Sequence, residues 1–491
     1  MLLALTIVGT AVFAYTTETA RSTRLTQQQS AAWAVAEGGM KTATAILNLP
    51  SNNALSATLL PGCTVAAAGA PPPANPCYAC PGGGNCTRTP VGDGYALWTA
   101  SLNNRVSPAV WTVTSWGYVR NPDTGSVTAK QLRVTVQVIA TLTQPLNNPA
   151  WNYIYATRPA TPGVCDEIIQ QSVTVASPLY VNGNLCLQNT ATIVSGPLDV
   201  KGSLTLTQRQ NAVGSSSAKV SDVHIAGGCQ WQNNAFHNPC QGAVDNVYAT
   251  TLDSTPSAIT PPVVYWDAWY QNASPGPYFP CTTPSGTVPT FDNDQGAVPD
   301  TTKRNNSVAT AFNLTPSASY SCKTAAGELS WNATTHVLTV AGTIFIDGSA
   351  YIQNGAVNSY NGQATLYLSG TFLQKNSKLC AGLNAGGTDC DTANWDPNTE
   401  LLAIVANGSG GQVNSWDGEQ LISATYQGAL YATKGIDTDT TSSVDGPMCG
   451  DVVNLGQSVT TSFPTITTVP VGMPSNPTVY AQPLPPVYLN G

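Results

Sequence analysis

Charge is what this chain lacks most. Asp, Glu, Lys and Arg make up only 9% of its 491 residues, against about a quarter of an ordinary soluble protein. The 18 basic residues form no cluster and the formal net charge is −8, so nucleic acid finds no electrostatic foothold. Histidine is scarce as well. His224, His237 and His336 are the only three, too few and too scattered for a histidine metal centre or a recognisable Ser-His-Asp arrangement, and no nucleophile elbow accompanies them. The expectation is a protein without cofactor and without catalytic residues.

Thr, Ser, Asn, Gln, Gly and Pro fill the surface that charge would occupy, while hydrophobic residues reach 42%. That much apolar content, arranged with β-branched alternation, argues for folded β structure rather than disorder. A chain of this length exceeds one ordinary core, so several structural units are expected.

Thirteen cysteines are spread through loop-like sequence. Beside an apolar N-terminal run they read as disulfides of an oxidising compartment. Cys63, Cys77, Cys80, Cys86, Cys229, Cys240, Cys281, Cys322, Cys380 and Cys390 are the candidate partners, in a connectivity that spacing does not determine. The odd count leaves one thiol free or paired with another chain. The C-x13-C-x2-C-x5-C spacing near residue 80 misses zinc-ligand spacing, and Pro76 and Pro81 argue against a redox helix start.

Residues Met1–Tyr15 (MLLALTIVGTAVFAY) carry no charge. As a helix the run rises about 22 Å at ~1.5 Å per residue, short of a ~30 Å hydrocarbon core. Helix-compatible sequence continues to Leu49, and Pro50 is the first breaker. One helix over about 1–50 is therefore expected, with Leu2, Leu3, Ile7, Val8, Val12 and Phe13 as its anchor portion. Further on, Leu25, Trp33, Val35, Ala36, Met40, Ala43, Ile46 and Leu47 share a broad face suited to docking on a sheet.

The apolar run, the polar stretch TTETARSTRLTQQQ and the phrase AAWAVAEGGMKTATAILN together resemble the start of type IV pilus assembly minor pilins of the PilX type. The family's helix-end motif is matched by Ala36, Glu37, Gly38, Gly39 and Met40. The resemblance covers about residues 1–50, more loosely to 140. It implies other pilin-like subunits as partners through the N-terminal helix, a membrane contact through the apolar start, and an envelope or extracellular location. Two departures stand beside it. No basic leader with a processing glycine precedes Met1, and Met1–Tyr15 holds no acidic residue. A start further upstream, a shortened chain, or a pilin-like membrane protein outside fibres all remain open.

Beyond the helix, residues 51–94 read as a Cys- and Pro-rich loop and 95–145 as a small antiparallel sheet, from ALWTASL, AVWTVTSWGYV and SVTAKQLRVTVQVIATL with a turn at Asn121–Gly125. Then PLYVNGNLCL (178–187) is repeated as PLDVKGSLTL (197–206), the phrase PLxVxGxLxL returning after 19 residues. A short strand-turn-strand repeat marks a solenoid whose coils stack, with Gly183 and Gly202 at its corners. Related phrases at 336–355, 362–374, 401–411 and 426–439 extend it. The expected fold is mainly β with one long N-terminal helix: a small pilin-like sheet followed by a parallel β-helix-like solenoid over 165–229 and 331–460. Residues 230–330 would be a disulfide-tied insertion and 461–491 a Pro-rich extended tail. A β-sandwich is the alternative.

Two further features bear on ligands. Tyr265, Trp266, Trp269 and Tyr270, in the loop-like insertion, are candidate binding aromatics for surface glycans or a protein partner. Asp347, Asp437, Asp439 and Asp445 could meet across coils as in polysaccharide-cleaving β-helix enzymes, the functional alternative to a structural and adhesive surface protein. FDNDQG at 291–296 and DTDTTSSVDG at 437–446 resemble calcium loops in Asp spacing but fit no EF-hand phasing. No metal site is expected.

Overall fold

The computed structural model describes residues 2–49, 54, 59–65, 73–103, 109–121, 124–140, 148–170, 172–264, 266–273, 281–282, 311–324, 326–408, 417–439, 441–456, 459–462, 465–475 and 479–489. The chain forms two compact units: residues 1–141 with 478–491, and residues 142–477.

The smaller unit is a long helix on an antiparallel sheet. Helix α1 (Leu2–Leu47) runs unbroken through Gly38 and Gly39. Its strands are β1 (Tyr78–Ala79), β2 (Asn85–Val91), β3 (Gly94–Asn103), β4 (Ala109–Arg120) and β5 (Val127–Ala140), each paired antiparallel with the next. Alternation sends Ala96, Trp98, Trp111, Val113, Leu132, Val134, Val136 and Val138 to the buried face. Residues 51–94 are thus not all loop, because β1 and β2 extend the sheet. The tail is not a free extension either. Val479–Pro483 and Val487–Leu489 pair with β5, supplying the partner that this edge strand otherwise lacks, with Pro483 kept to the sheet's rim.

The larger unit is a parallel β-solenoid, and the 19-residue interval of the repeated phrase is one coil of it. Leu179 pairs with Leu198, and Leu185 with Leu204. Three short strands per coil stack on those of the next. In one half they are 179–181, 185–187 and 192–193, followed by 198–200, 204–206 and 212–213. Inward ladders such as Leu179–Leu198–Val223 and Leu185–Leu204–Cys229 fill a fully buried core. At one corner Gly183, Gly202 and Gly227 lie over one another, linked by Gly202 N–H to Gly183 O (3.0 Å) and Gly227 N–H to Gly202 O (2.8 Å). A Cβ at residue 202 would strike the Gly183 carbonyl, so the corner admits no side chain.

The second winding covers residues 337–462. Ile344–Leu366–Ile404–Leu430–Met448 forms its inward ladder, which continues into Ile154 and Leu179 of the first. Strands 448–450 and 460–462 pair with 154–156 and 174–175. Two windings far apart in sequence therefore make one uninterrupted stack. Antiparallel strands Tyr320–Lys323 and Gly327–Asn332 lie on Val337–Ile346 at the far end, tied by Cys281–Cys322. Of the expected insertion, 274–280 and 283–310, including FDNDQG, lie outside the described residues.

Candidate functional site

Only part of α1 packs on its sheet. Ala32, Val35, Ala36, Gly39, Ala43 and Leu47 are buried at helical spacing. Trp33, Met40 and Ile46 are half-buried. Leu25 is 51% exposed and does not belong to the docking face, because it lies a turn and a half before the helix meets the strands. Close approach is set by glycine. A Cβ at Gly117 of β4 would collide with the Ala32 carbonyl and the Ala36 backbone nitrogen, and one at Gly39 with Ser115 and Ala96.

The AEGGM phrase sits at this contact. Ala36 and Gly39 face the sheet, Gly38 approaches Val91 and Met40 is half-buried. Glu37 accepts a hydrogen bond from the Tyr488 hydroxyl (3.0 Å), which holds that phenol above its ordinary range. Tyr488 meets Trp33 edge-on at 5.0 Å. Asn48 donates to the Ala481 carbonyl and accepts from its N–H. The C-terminal strands latch the helix onto its sheet.

Residues 10–30 are all exposed except half-buried Gln28. That is ~31 Å of bare helix at ~1.5 Å per residue. Val12, Phe13 and Tyr15 are 57%, 71% and 75% exposed. Its many hydroxyls are turned inward. Thr16, Thr17, Thr19, Thr23 and Thr26 donate to the carbonyls four residues back. At the threonines the segment thus offers methyl groups in place of hydroxyls, beside exposed Glu18, Arg21 and Arg24. Leu2, Leu3, Ile7 and Val8 lie within α1, with side chains outside the described residues. Among the described residues no helix is long and apolar enough to cross a membrane.

Six disulfides join Cys63–Cys77, Cys80–Cys86, Cys165–Cys186, Cys229–Cys240, Cys281–Cys322 and Cys380–Cys390. All ten candidate cysteines are therefore paired. Cys165 and Cys186 were missed, although Cys186 alternates outward between inward Leu185 and Leu187 and faces the coil before it. The free thiol is Cys449, buried and with its pKa pushed far up by desolvation. Cys229, Cys240 and Asp245 converge, but both sulfurs are spent in a disulfide. Asp245 itself is held by His237 Nδ1 (2.6 Å) and the Gln241 N–H (2.6 Å). That cluster is structural.

The candidate binding aromatics need correction. Trp266–Ala273 is a short helix, α2, not a loop. Trp269 and Tyr270 are 6% and 3% exposed, packed with Phe345, Tyr367 and Val405, and Trp266 joins them. Trp269 stacks on Tyr367 at 5.8 Å and Tyr270 meets Phe345 at 5.3 Å. The helix covers an aromatic ladder on the outer face of the solenoid, so these rings are core. Tyr265 lies outside the described residues.

The candidate acids are also engaged internally. Asp437 accepts from Gln420 Nε2 (2.9 Å) and Asn454 Nδ2 (2.7 Å), its neighbours on adjacent coils, and burial raises its pKa. Asp347 accepts from the Ser369 hydroxyl (2.6 Å). Two buried carboxyls escaped notice in the sequence. Glu167 and Glu419 both point into the solenoid core. Burial lifts Glu167 to about 8, against a single opposing hydrogen bond from the Val453 N–H (3.0 Å). It also holds Glu419 far above the ordinary carboxylate range. The signal was alternation: Glu167 shares a face with buried Ile169.

No protein-family model and no curated protein sequence matches the chain. Among solved structures, the crystal structure of the competence-associated pilin ComZ from Thermus thermophilus matches over 94% of this chain and 98% of that one. The identity is 11% and the TM-score 0.36, a likeness too distant to carry a functional argument.

Proposed function

We propose that this protein is a non-catalytic subunit of a cell-surface assembly, a minor-pilin-like protein that joins other subunits through α1 and presents the solenoid as an enlarged head for attachment. One observation carries the reading: residues 10–30 of α1 form an exposed stretch of helix with Val12, Phe13 and Tyr15 at its surface and with self-bonded threonine hydroxyls. An isolated helix with such a surface gains stability by burial among similar helices. The six disulfides suit an oxidising, extracytoplasmic setting. In favour of a non-catalytic role, Asp347 and Asp437 are tied into hydrogen bonds within the solenoid. In this reading the apolar start of the helix contacts the bilayer, and the sheet unit and solenoid stay outside it.

Immunogold labelling of intact cells with antibody raised to residues 148–475 tests the proposal. Gold along or at the tips of thin filaments is expected. Label confined to the cell body beside bare filaments would remove the filament role, and a cytoplasmic fractionation would remove the surface role altogether.

A further inference from the structure

A groove of about 700 Å³ runs along the outside of the first winding. Its floor crosses three coils, where Cys186, Thr205 and Gln230 occupy successive outward positions of one parallel ladder, one coil every ~4.8 Å. At the corner the floor is bare backbone, Gly202 and Gly227. One wall is the segment Ala160–Cys165, the other exposed Phe236.

The wall is built rather than incidental. Asp166 accepts from the Thr161 and Asn184 N–H groups, both at 2.9 Å. Asn184 donates to the Thr161 and Val164 carbonyls (2.7 and 2.9 Å) and accepts from Ser203. The Cys165–Cys186 disulfide pins the wall to the floor. These groups spend their hydrogen bonds on the frame and leave others free. Among the described residues the Thr205 hydroxyl has no protein partner and Lys201 makes no ion pair, only a 5.8 Å approach to the Tyr180 ring. Gln230 has a single 3.3 Å bond from its amide to the Asn234 carbonyl. Phe236 is 52% exposed.

We propose that this groove binds an extended acidic oligosaccharide, a chain of uronate-type sugars laid along the solenoid axis. The lining holds one cation and no carboxylate, which selects an anionic over a cationic ligand. Hydroxyl and amide groups spaced coil by coil suit a repeating polyol. Phe236 supplies an apolar ring face against which a sugar ring packs. A flat protein partner would not reach the backbone floor, and a nucleic-acid strand would need more than one cation. The site does not depend on the filament role.

The test uses the full chain and calorimetric titration with oligogalacturonate and oligomannuronate, beside neutral cello-, malto- and chito-oligosaccharides. Binding of an acidic oligosaccharide, weakened on raising the salt, is expected. Lys201→Ala and Phe236→Ala should each weaken it by about tenfold, and Thr205→Val by less. All three positions lie at the surface, so circular dichroism should show an unchanged fold. The proposal is overturned if no acidic oligosaccharide binds, if neutral ones bind as tightly, or if Lys201→Ala and Phe236→Ala leave affinity unchanged in a folded protein.

Discussion

Glu167→Gln should flatten the pH dependence of the solenoid's stability. The carboxyl lies inside the core, 2% exposed, with one oxygen accepting the Val453 N–H and the other without a partner. Desolvation is the largest influence on it, and raises its pKa from the ordinary 4.5 to about 8; Arg158 opposes weakly. Below 4.5 both folded and unfolded chains hold the proton, and stability is full. Between 4.5 and 8 the unfolded chain releases the proton while the folded chain keeps it. Stability then falls as pH rises, by ~1.4 kcal/mol per unit, and levels off above 8. The whole loss, over about 3.5 pH units, is on the order of 5 kcal/mol, a large share of a domain's net stability. Glutamine keeps the shape and an acceptor for the Val453 N–H but never ionises. Guanidinium unfolding followed by tryptophan fluorescence at pH 5, 6.5 and 8 reads the difference, provided the solenoid transition is separated from that of the smaller unit. The wild type should lose midpoint steadily across this range. Glu167→Gln should lose less, and Glu167→Gln with Glu419→Gln least, since buried Glu419 is raised in the same direction. A wild-type midpoint that rises with pH, or a single variant with the wild-type slope, would refute the reasoning.

Other consequences are as direct. Gly117→Ala should cost the smaller unit about 1–3 kcal/mol by forcing α1 off β4; thermal unfolding and faster hydrogen exchange over residues 32–47 would register it, and an unchanged midpoint would contradict the packing. Replacing Val12 and Phe13 together by Asp should abolish recovery in the filament fraction while leaving the unfolding midpoint unchanged, because both side chains are bare in the single chain. Cys449 should resist alkylation in the native protein and react once denaturant opens the solenoid; rapid native labelling would show that the thiol is not sealed.

The features that could be read from the sequence are those written locally. Helix α1 follows from an uninterrupted helix-compatible run ended by Pro50, and the coil from the phrase PLxVxGxLxL, whose period matches the Leu179–Leu198 pairing. What escaped depends on distant partners. The pairing of 479–489 with β5 is invisible from the tail, whose prolines suggest an extended chain. The aromatics of α2 looked like a binding patch because the ladder that buries them, Phe345, Tyr367 and Val405, is assembled from three later coils. The groove escaped for the same reason. Lys201, Gln230 and Phe236 are unremarkable one at a time and become a site only when the coils stack.

The same dependence on distant pairing explains how so large a solenoid sits inside the sequence of a small sheet. A coil placed first, at 154–175, has two bare edges. The first winding covers one edge, ending at Ala249–Asp253. The other stays bare until 448–462 arrives and pairs with it. An unpaired parallel edge invites association with foreign strands, so closing the seam completes the fold and also protects it. The closure has a second effect. It brings the solenoid's entrance and exit together: Trp151 Nε1 donates to the Pro474 carbonyl (2.7 Å), and the Ile466 N–H donates to Asn152. In the smaller unit the matching residues are also neighbours, because Ala140 pairs with Val479. A domain whose ends meet can be inserted wherever two adjacent strands would otherwise be joined by a turn. The solenoid takes the place of such a hairpin turn between β5 and the C-terminal strand, and it is the seam between 448–462 and 154–175 that allows it to do so.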